Sequence, residues 1–109
     1  MISYDDFRKV DMRVGKVTKV EDFPKARNPS YKFEVDFGEE VGVKRSCAQL
    51  TNYARDELLG RQVVAVVNFA PKNIAGFSSE VLILGVDMEG GVVSLLQPRD
   101  EVVIGARVY

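Results

Sequence analysis

The clearest pattern in the chain is a strict alternation of apolar and charged residues in its first half. The apolar positions are Tyr31, Phe33, Val35 and Phe37, and charged side chains fill the positions between them. A period of two places the apolar residues on one face of an extended chain, so this segment is predicted to be a half-buried β-strand. Gly38 to Glu40 supplies a turn, after which Val41 to Ala48 is predicted to return as the next strand.

A longer strand is predicted before this pair. Between Val10 and Phe23 the apolar residues fall at positions 10, 12 and 14 and then at 17, so the phase shifts just after Gly15. A glycine at such a shift is typical of a β-bulge in a bent strand. Pro24 and Pro29 bracket the polar loop that follows.

The second half of the chain contains one break in the β pattern and then two apolar runs. Tyr53 to Leu59 is predicted to be a short helix that ends before Gly60. The runs at 63–67 and 81–84 are nearly continuous, which predicts two strands buried on both faces. Asn68 to Glu80, a polar connection that contains glycine, joins them.

Short elements are predicted at both ends. Ser3 can cap a helix, with Asp6 in the reciprocal capping position, and that helix would present Tyr4, Phe7 and Val10. Toward the C-terminus, Gly90 and Gly91 form a predicted hairpin turn, and further extended pieces are expected at 92–96 and 102–108.

The order of these elements indicates the fold class. Three strands, a short helix and two more strands follow one another, which is the order of the five-stranded Greek-key barrel called the OB-fold. We therefore predict an all-β protein with one barrel domain across residues 1–109, a short N-terminal helix, a short helix between strands 3 and 4, and C-terminal strand additions.

Composition argues against an enzyme. The chain has no histidine and a single cysteine, Cys47, which excludes His-dependent nucleophile systems and the usual zinc sites. No glycine-rich phosphate loop or calcium-loop spacing is present, so no cofactor or metal is expected. Cys47 is interpreted as a small core residue.

Charge and hydropathy narrow the expected partners. The net charge is −1, but residues 1–32 hold eight basic and five acidic side chains, a mild indication of an anionic partner. The basic residues Lys16, Lys19, Lys25, Arg27 and Lys32 also fit a solvated strand edge that discourages sheet pairing.

No apolar run is long enough to span a membrane and no leader is evident, so we expect a cytoplasmic protein without membrane insertion.

Two motifs resemble those of a known family. DFRKVDMRVGKV, from Asp6 to Val17, resembles the opening signature of the tRNA-binding-domain family, an OB-fold module. NFAPKNIAGFSSEVLILG, from Asn68 to Gly85, resembles its second signature, an Asn-x-x-Pro-basic stretch that leads to Gly-x-x-Ser-Glu. Three further segments, Pro24 to Gly38, Ser46 to Thr51 and Val66 to Gly85, resemble a stand-alone branch described as export-related chaperones.

That resemblance implies a homodimer built from the N-terminal helix and the C-terminal segment, with a cleft on each subunit for unfolded or precursor polypeptide. The predicted interface residues are Tyr4, Phe7 and Val10, which could instead pack over their own barrel end. Binding of tRNA is the alternative function. It is the weaker expectation, because Ala70, Asn73 and Ala75 stand where tRNA-binding relatives usually carry basic residues.

Candidate binding residues come from the loop between the two core strands and from the end of the third strand. They are Arg45, Ser46, Gln49, Asn68, Phe69, Lys72, Ile74, Phe77, Ser79 and Glu80. We expect Phe69, Ile74 and Phe77 to form an apolar floor, because OB-folds commonly bind ligands with strands 2–3 and the flanking loops. A plain connecting loop, a solvated strand end and a purely structural Glu80 are the alternatives.

Overall fold

A computed structural model describes every residue from Met1 to Tyr109. The helices are α1 (Tyr4–Arg8) and α2 (Arg55–Leu58), and a 3-10 turn spans Glu89–Gly91. The strands are β1 (Met12–Asp22), β2 (Tyr31–Asp36), β3 (Val43–Ala48), β4 (Gln62–Val66), β5 (Lys72–Ile74), β6 (Phe77–Ser79), β7 (Leu82–Ile83), β8 (Gly85–Asp87) and β9 (Val93–Leu95).

Five of these strands form the predicted barrel, in the order β3-β2-β1-β4-β7. Each neighbouring pair is antiparallel, and β2 buries Tyr31, Phe33 and Val35 as its alternation predicts. The outer strands β3 and β7 meet where the hydroxyl of Ser46 donates to the carbonyl of Val81 at 2.8 Å. The nearly closed five-stranded barrel confirms the predicted fold class.

The long first strand is shared between two partners. Residues Met12 to Lys16 pair with β4, and Lys16 to Asp22 pair with β2, so β1 bends across the barrel as predicted. The predicted position of the bulge is wrong, because the register irregularity lies between Val17 and Lys19. Gly15 instead lies against the buried side chains of Val35 and Phe37, where a close approach requires a residue without a Cβ.

The segment from Asn68 to Glu80 is more regular than predicted. It contains the antiparallel hairpin β5–β6, where the sequence predicts a polar loop without regular strands. The run at 81–84 also differs from its prediction: Val81 and Ile83 are buried, but Leu82 is 47% exposed. The reason is that β7 is the edge strand of the barrel sheet, so only one of its faces packs on the core.

The ends of the chain meet along the outer edge of β1. Ser3 and Asp6 form the predicted capping box of α1. The extended piece expected at 102–108 is confirmed in its last residues only: Arg107 forms an antiparallel bridge with Arg13, and backbone bonds join Gly105 and Ala106 to Val14 and Val108 to Met12. The predicted hairpin around Gly90 and Gly91 is confirmed by the pairing of β8 with β9.

An ion-pair network holds the C-terminal segment in place. The guanidinium of Arg13 donates to Asp11 at 2.7 Å and to the carbonyl of Gly105 at 3.1 Å, and Arg107 lies 3.7 Å from Asp11. The hydrogen bond from Arg13 lowers the pKa of the Asp11 carboxyl, so this carboxylate keeps its charge to a lower pH than an ordinary aspartate. Neither helix is long enough to cross a membrane.

Candidate functional site

The hairpin β5–β6 forms one wall of the surface that combines most of the candidate residues. Its turn is Ala75–Gly76, and both residues have positive φ angles, 49° and 86°. Two-residue hairpin turns of type I′ need such angles, which explains the glycine. Ile74 and Phe77 face each other beside this turn, and Lys72 lies opposite Ser79.

Three hydrogen bonds attach the hairpin to β3. The amide of Glu80 donates to the carbonyl of Arg45 at 2.8 Å, and the Glu80 carboxylate accepts from the Arg45 amide at 2.9 Å. The hydroxyl of Ser79 accepts from the amide of Cys47 at 3.1 Å. Ser79 and Glu80 therefore position the hairpin, which agrees with the structural alternative for Glu80.

Phe77 lies at the centre of a cluster of aromatic and cationic side chains. Its ring packs edge to face on Phe23 with the centroids 5.6 Å apart. The guanidinium carbon of Arg45 lies 4.6 Å from the Phe77 centroid, and the ammonium of Lys32 lies 5.7 Å from it. Contacts of this kind are favourable because the ring face is electronegative.

Two more cations border this cluster. Lys25 lines a groove with Phe23, Lys32 and Phe77. Lys72 projects from the same face of the hairpin as Phe77, because Ile74 pairs directly with Phe77 and lies two residues from Lys72 on β5. We name this region the Phe77 surface. It consists of Phe23, Lys25, Lys32, Arg45, Lys72 and Phe77.

The Phe77 surface carries an excess of unneutralised positive charge. No carboxylate forms an ion pair with any of its four cations. Two acidic residues beside it, Glu21 and Glu34, both contact Lys19, at 3.4 and 3.5 Å. They raise the pKa of Lys19, and the hydrogen bond that Lys19 donates to Glu21 is the largest cause. Glu21 and Glu34 line the groove beside Lys32, Arg45 and Phe77, but their ion pairs are with Lys19. The four cations of the Phe77 surface therefore outnumber these two carboxylates, and an anionic group that approaches Phe77 meets a net positive charge.

Two predicted binding residues are used inside the fold. Ser46 is fully buried and donates to Val81, so its hydroxyl cannot reach a ligand. The side-chain amide of Asn68 donates to the carbonyl of Lys9 at 2.7 Å and accepts from the amide of Asp11 at 3.0 Å. Asn68 thus joins β4 to the segment after α1 and is not a free anchor.

The predicted apolar floor does not assemble. Phe69 is 56% exposed and lines neither groove beside Phe77. Gln49 lies elsewhere, in a groove with Leu50 and Leu82. Of the three apolar loop residues, only Ile74 and Phe77 are neighbours.

Sequence reasoning missed the aromatic partner of Phe77 and the role of two lysines. Phe23 follows β1, far from Phe77 in sequence, and Lys25 and Lys32 were considered only as part of a basic stripe. The signal that could have found them is the fold itself. In an OB-fold, the loop between the first two barrel strands and the loop between the last two flank the same face. In this chain these loops join β1 to β2 and β4 to β7.

The N-terminal candidates form a second exposed region. Tyr4, Phe7 and Val10 line one groove together with Val108 and Tyr109 from the C-terminal segment. Tyr4 is 70% exposed, so much of this apolar area faces solvent within one subunit. The structure therefore brings together the two segments that the family resemblance assigns to a dimer interface.

The Phe77 surface presents cationic and aromatic side chains to a ligand. Cys47 is the only sulfur nucleophile in the chain, and burial raises its thiol pKa, which disfavours the reactive thiolate. No group of three or more potential metal-ligating residues lies together.

Comparisons with known proteins agree with this architecture. The family model described as putative tRNA binding domain matches residues 12–107. The chain is 49% identical to the chaperone CsaA of Bacillus anthracis, covering 100% of this chain and 99% of that one, with a TM-score of 0.93. The CsaA chaperone protein of Picrophilus torridus is 48% identical, with full coverage of both chains and the same TM-score.

A curated relative is much longer. The methionine–tRNA ligase of Pyrococcus abyssi is 43% identical over 98% of this chain, which spans only 14% of that enzyme. The similarity therefore concerns one small part of the ligase. Because the family model covers all but the ends of the sequence, the chain belongs to the putative tRNA-binding-domain family.

Proposed function

We propose that this protein binds segments of unfolded or precursor polypeptide as an ATP-independent, chaperone-like module. The observation that carries the proposal is the similarity to two CsaA chaperones at 48–49% identity along the entire chain. We further propose that it acts in the cytoplasm and that its clients include proteins destined for export.

The Phe77 surface supplies suitable contacts for an extended polypeptide. Phe77 offers partly accessible aromatic area and packs on the buried ring of Phe23, and Arg45 and Lys32 offer hydrogen-bond donors beside it. The outer side of β5 has no neighbouring strand, so its backbone groups can pair with an added extended chain. We assign the binding role to Arg45, Lys72, Ile74 and Phe77 from the sequence-based set, together with Phe23, Lys25 and Lys32.

A side-by-side titration tests the proposed function. Fluorescence anisotropy would follow the binding of the purified protein to a labelled unfolded polypeptide and to labelled tRNA, each at low and at physiological salt. We expect polypeptide binding that persists at physiological salt and weaker tRNA binding that disappears there. Tight tRNA binding without a polypeptide signal would contradict the proposal.

Binding of tRNA is the second candidate function. The specific observation in its favour is the set of four unpaired cations on the Phe77 surface, because neutralisation of phosphates dominates affinity for nucleic acids. The similarity to a methionine–tRNA ligase also supports it. Its test is a steep loss of affinity with increasing salt in the same titration.

We also propose that two copies of the chain associate through the groove of α1 and the C-terminal segment. This groove contains the exposed apolar side chains of Tyr4, Val10 and Tyr109. They supply apolar area of the kind that a two-fold interface buries. The double variant Tyr4→Glu/Val10→Glu should shift the protein from dimer to monomer, because it places charges in the contact. Light scattering after size exclusion would measure the mass.

The matched control for this variant is Leu59→Glu/Val43→Glu, which adds the same charges at exposed apolar positions elsewhere. It should leave the mass of the dimer unchanged. A wild-type protein that is monomeric at micromolar concentration, or a Tyr4→Glu/Val10→Glu variant that remains dimeric, would contradict the proposed interface.

A further inference from the structure

We infer that the Phe77 surface selects polypeptide segments in which acidic side chains flank an apolar residue. This inference rests on the proposed function and specifies the chemistry of the bound segment. It depends on the distribution of charge around Phe77, on the geometry of two cations over one ring, and on the contrast with the overall charge of the chain.

The distribution of charge favours an anionic ligand. Lys25, Lys32, Arg45 and Lys72 have no ion-pair partner. The carboxylates nearby are already engaged: Glu21 and Glu34 contact Lys19, Asp22 contacts Arg55 at 3.7 Å, and Glu80 accepts from the Arg45 amide. Glu21 and Glu34 line the groove beside Phe77, but the four cations outnumber them, so the local balance of charge favours an acidic segment over a basic one.

The geometry places cationic and apolar contacts next to each other. Arg45 and Lys32 both lie over Phe77, at 4.6 and 5.7 Å from its centroid. Contact with the ring restrains these long side chains before a ligand arrives, so less conformational entropy is lost when a carboxylate binds them. A carboxylate and an apolar side chain close together in one segment can therefore contact the cations and the half-buried ring of Phe77 simultaneously.

The selectivity is local and does not follow from the overall charge. The chain as a whole has a net charge of −1, so a purely non-specific electrostatic response would slightly favour basic ligands. Preference for acidic segments would therefore identify the Phe77 surface as the contact region. Among unfolded polypeptides, the positive charge of the Phe77 surface therefore favours acidic segments.

Three labelled unfolded peptides would test the inference. They share one sequence of leucine, phenylalanine, glycine and serine, and differ only in four interspersed positions that are Glu, Gln or Lys. At low salt we expect the Glu peptide to bind about tenfold more tightly than the Gln peptide, since a few exposed ion pairs each add a small amount. The Lys peptide should bind most weakly, and the difference should shrink as salt increases.

Protein variants locate the effect. Lys32→Gln/Arg45→Gln removes the two cations that lie over Phe77 and keeps the backbone bonds of Arg45. It should reduce the preference for the Glu peptide severalfold, and Lys25 and Lys72 account for the preference that is left. Lys16→Gln removes an unpaired, exposed lysine outside the Phe77 surface and should preserve the preference.

The outcomes separate the inference from the proposed function. Equal affinities of the wild-type protein for all three peptides would overturn the inference while polypeptide binding itself stands. A preference for the Lys peptide would overturn it as well. If no peptide binds but tRNA does, both the inference and the proposed polypeptide function are wrong.

Discussion

The double variant Phe77→Ala/Lys72→Ala is expected to bind unfolded polypeptide at least tenfold more weakly than the wild type, a loss of about 1.4 kcal/mol or more. Phe77 is the ring on which Phe23, Lys32 and Arg45 converge, so its removal takes away aromatic area and releases two cations together. Lys72 adds a charge from the same hairpin face. Anisotropy titration with one labelled polypeptide measures the change.

The fold of this variant has to be checked because Phe77 also packs on Phe23. Loss of a half-buried phenylalanine is expected to lower stability by about 2 kcal/mol, less than the cost for a fully buried one. The single variant Lys72→Glu alters only an exposed side chain on β5, so it tests the same surface without loss of packing. Circular dichroism would confirm that each variant is folded at the temperature of the titration.

A matched control removes one phenylalanine and one lysine elsewhere. Phe69 is exposed outside both grooves beside Phe77, and Lys16 is exposed on β1, so Phe69→Ala/Lys16→Ala should retain wild-type affinity. Equal losses in the two double variants would show that binding is not concentrated at Phe77. Wild-type affinity in a folded Phe77→Ala/Lys72→Ala variant would remove the Phe77 surface from the site.

Local pattern was sufficient to predict the barrel. The alternation in β2 and the continuous apolar run of β4 are direct consequences of burial on one face and on two faces, so both strands were predicted correctly. The run at 81–84 shows the limit of this reasoning. Its composition matches that of β4, but its position at the sheet edge leaves Leu82 exposed, and position in a sheet is not encoded locally.

The candidate site was predictable only in part, because side-chain partners across the fold decide its membership. Asn68 and Ser46 have polar groups of the right kind, but both are bound to backbone atoms of distant segments. Phe77 was identified because an aromatic residue in a loop is unusual. Its contact with Phe23 depends on how two loops approach in space, which one sequence does not reveal.

Gly15→Ala is expected to destabilise the protein by about 1–3 kcal/mol, the usual cost of adding an atom to a packed core. A Cβ at this position would lie 2.5 Å from Cγ1 of Val35 and 2.7 Å from Cε1 of Phe37. Both neighbours are fully buried and have little room to move. Gly15→Val should cost more, because its two methyl groups extend further toward the same side chains.

The sign of this change distinguishes close packing at Gly15 from an ordinary strand position with free space beside it. At an ordinary strand position, replacement of glycine by alanine is favourable by about 0.5–1 kcal/mol, because the unfolded chain loses conformational freedom. Thermal unfolding of Gly15→Ala would therefore shift to higher temperature if the site were roomy, and we expect the opposite. The double variant Gly15→Ala/Val35→Ala should be less destabilised than the sum of its single variants, since one of the clashing atoms is gone. Strict additivity would show that Val35 does not limit the space at Gly15, so the cycle tests this contact directly.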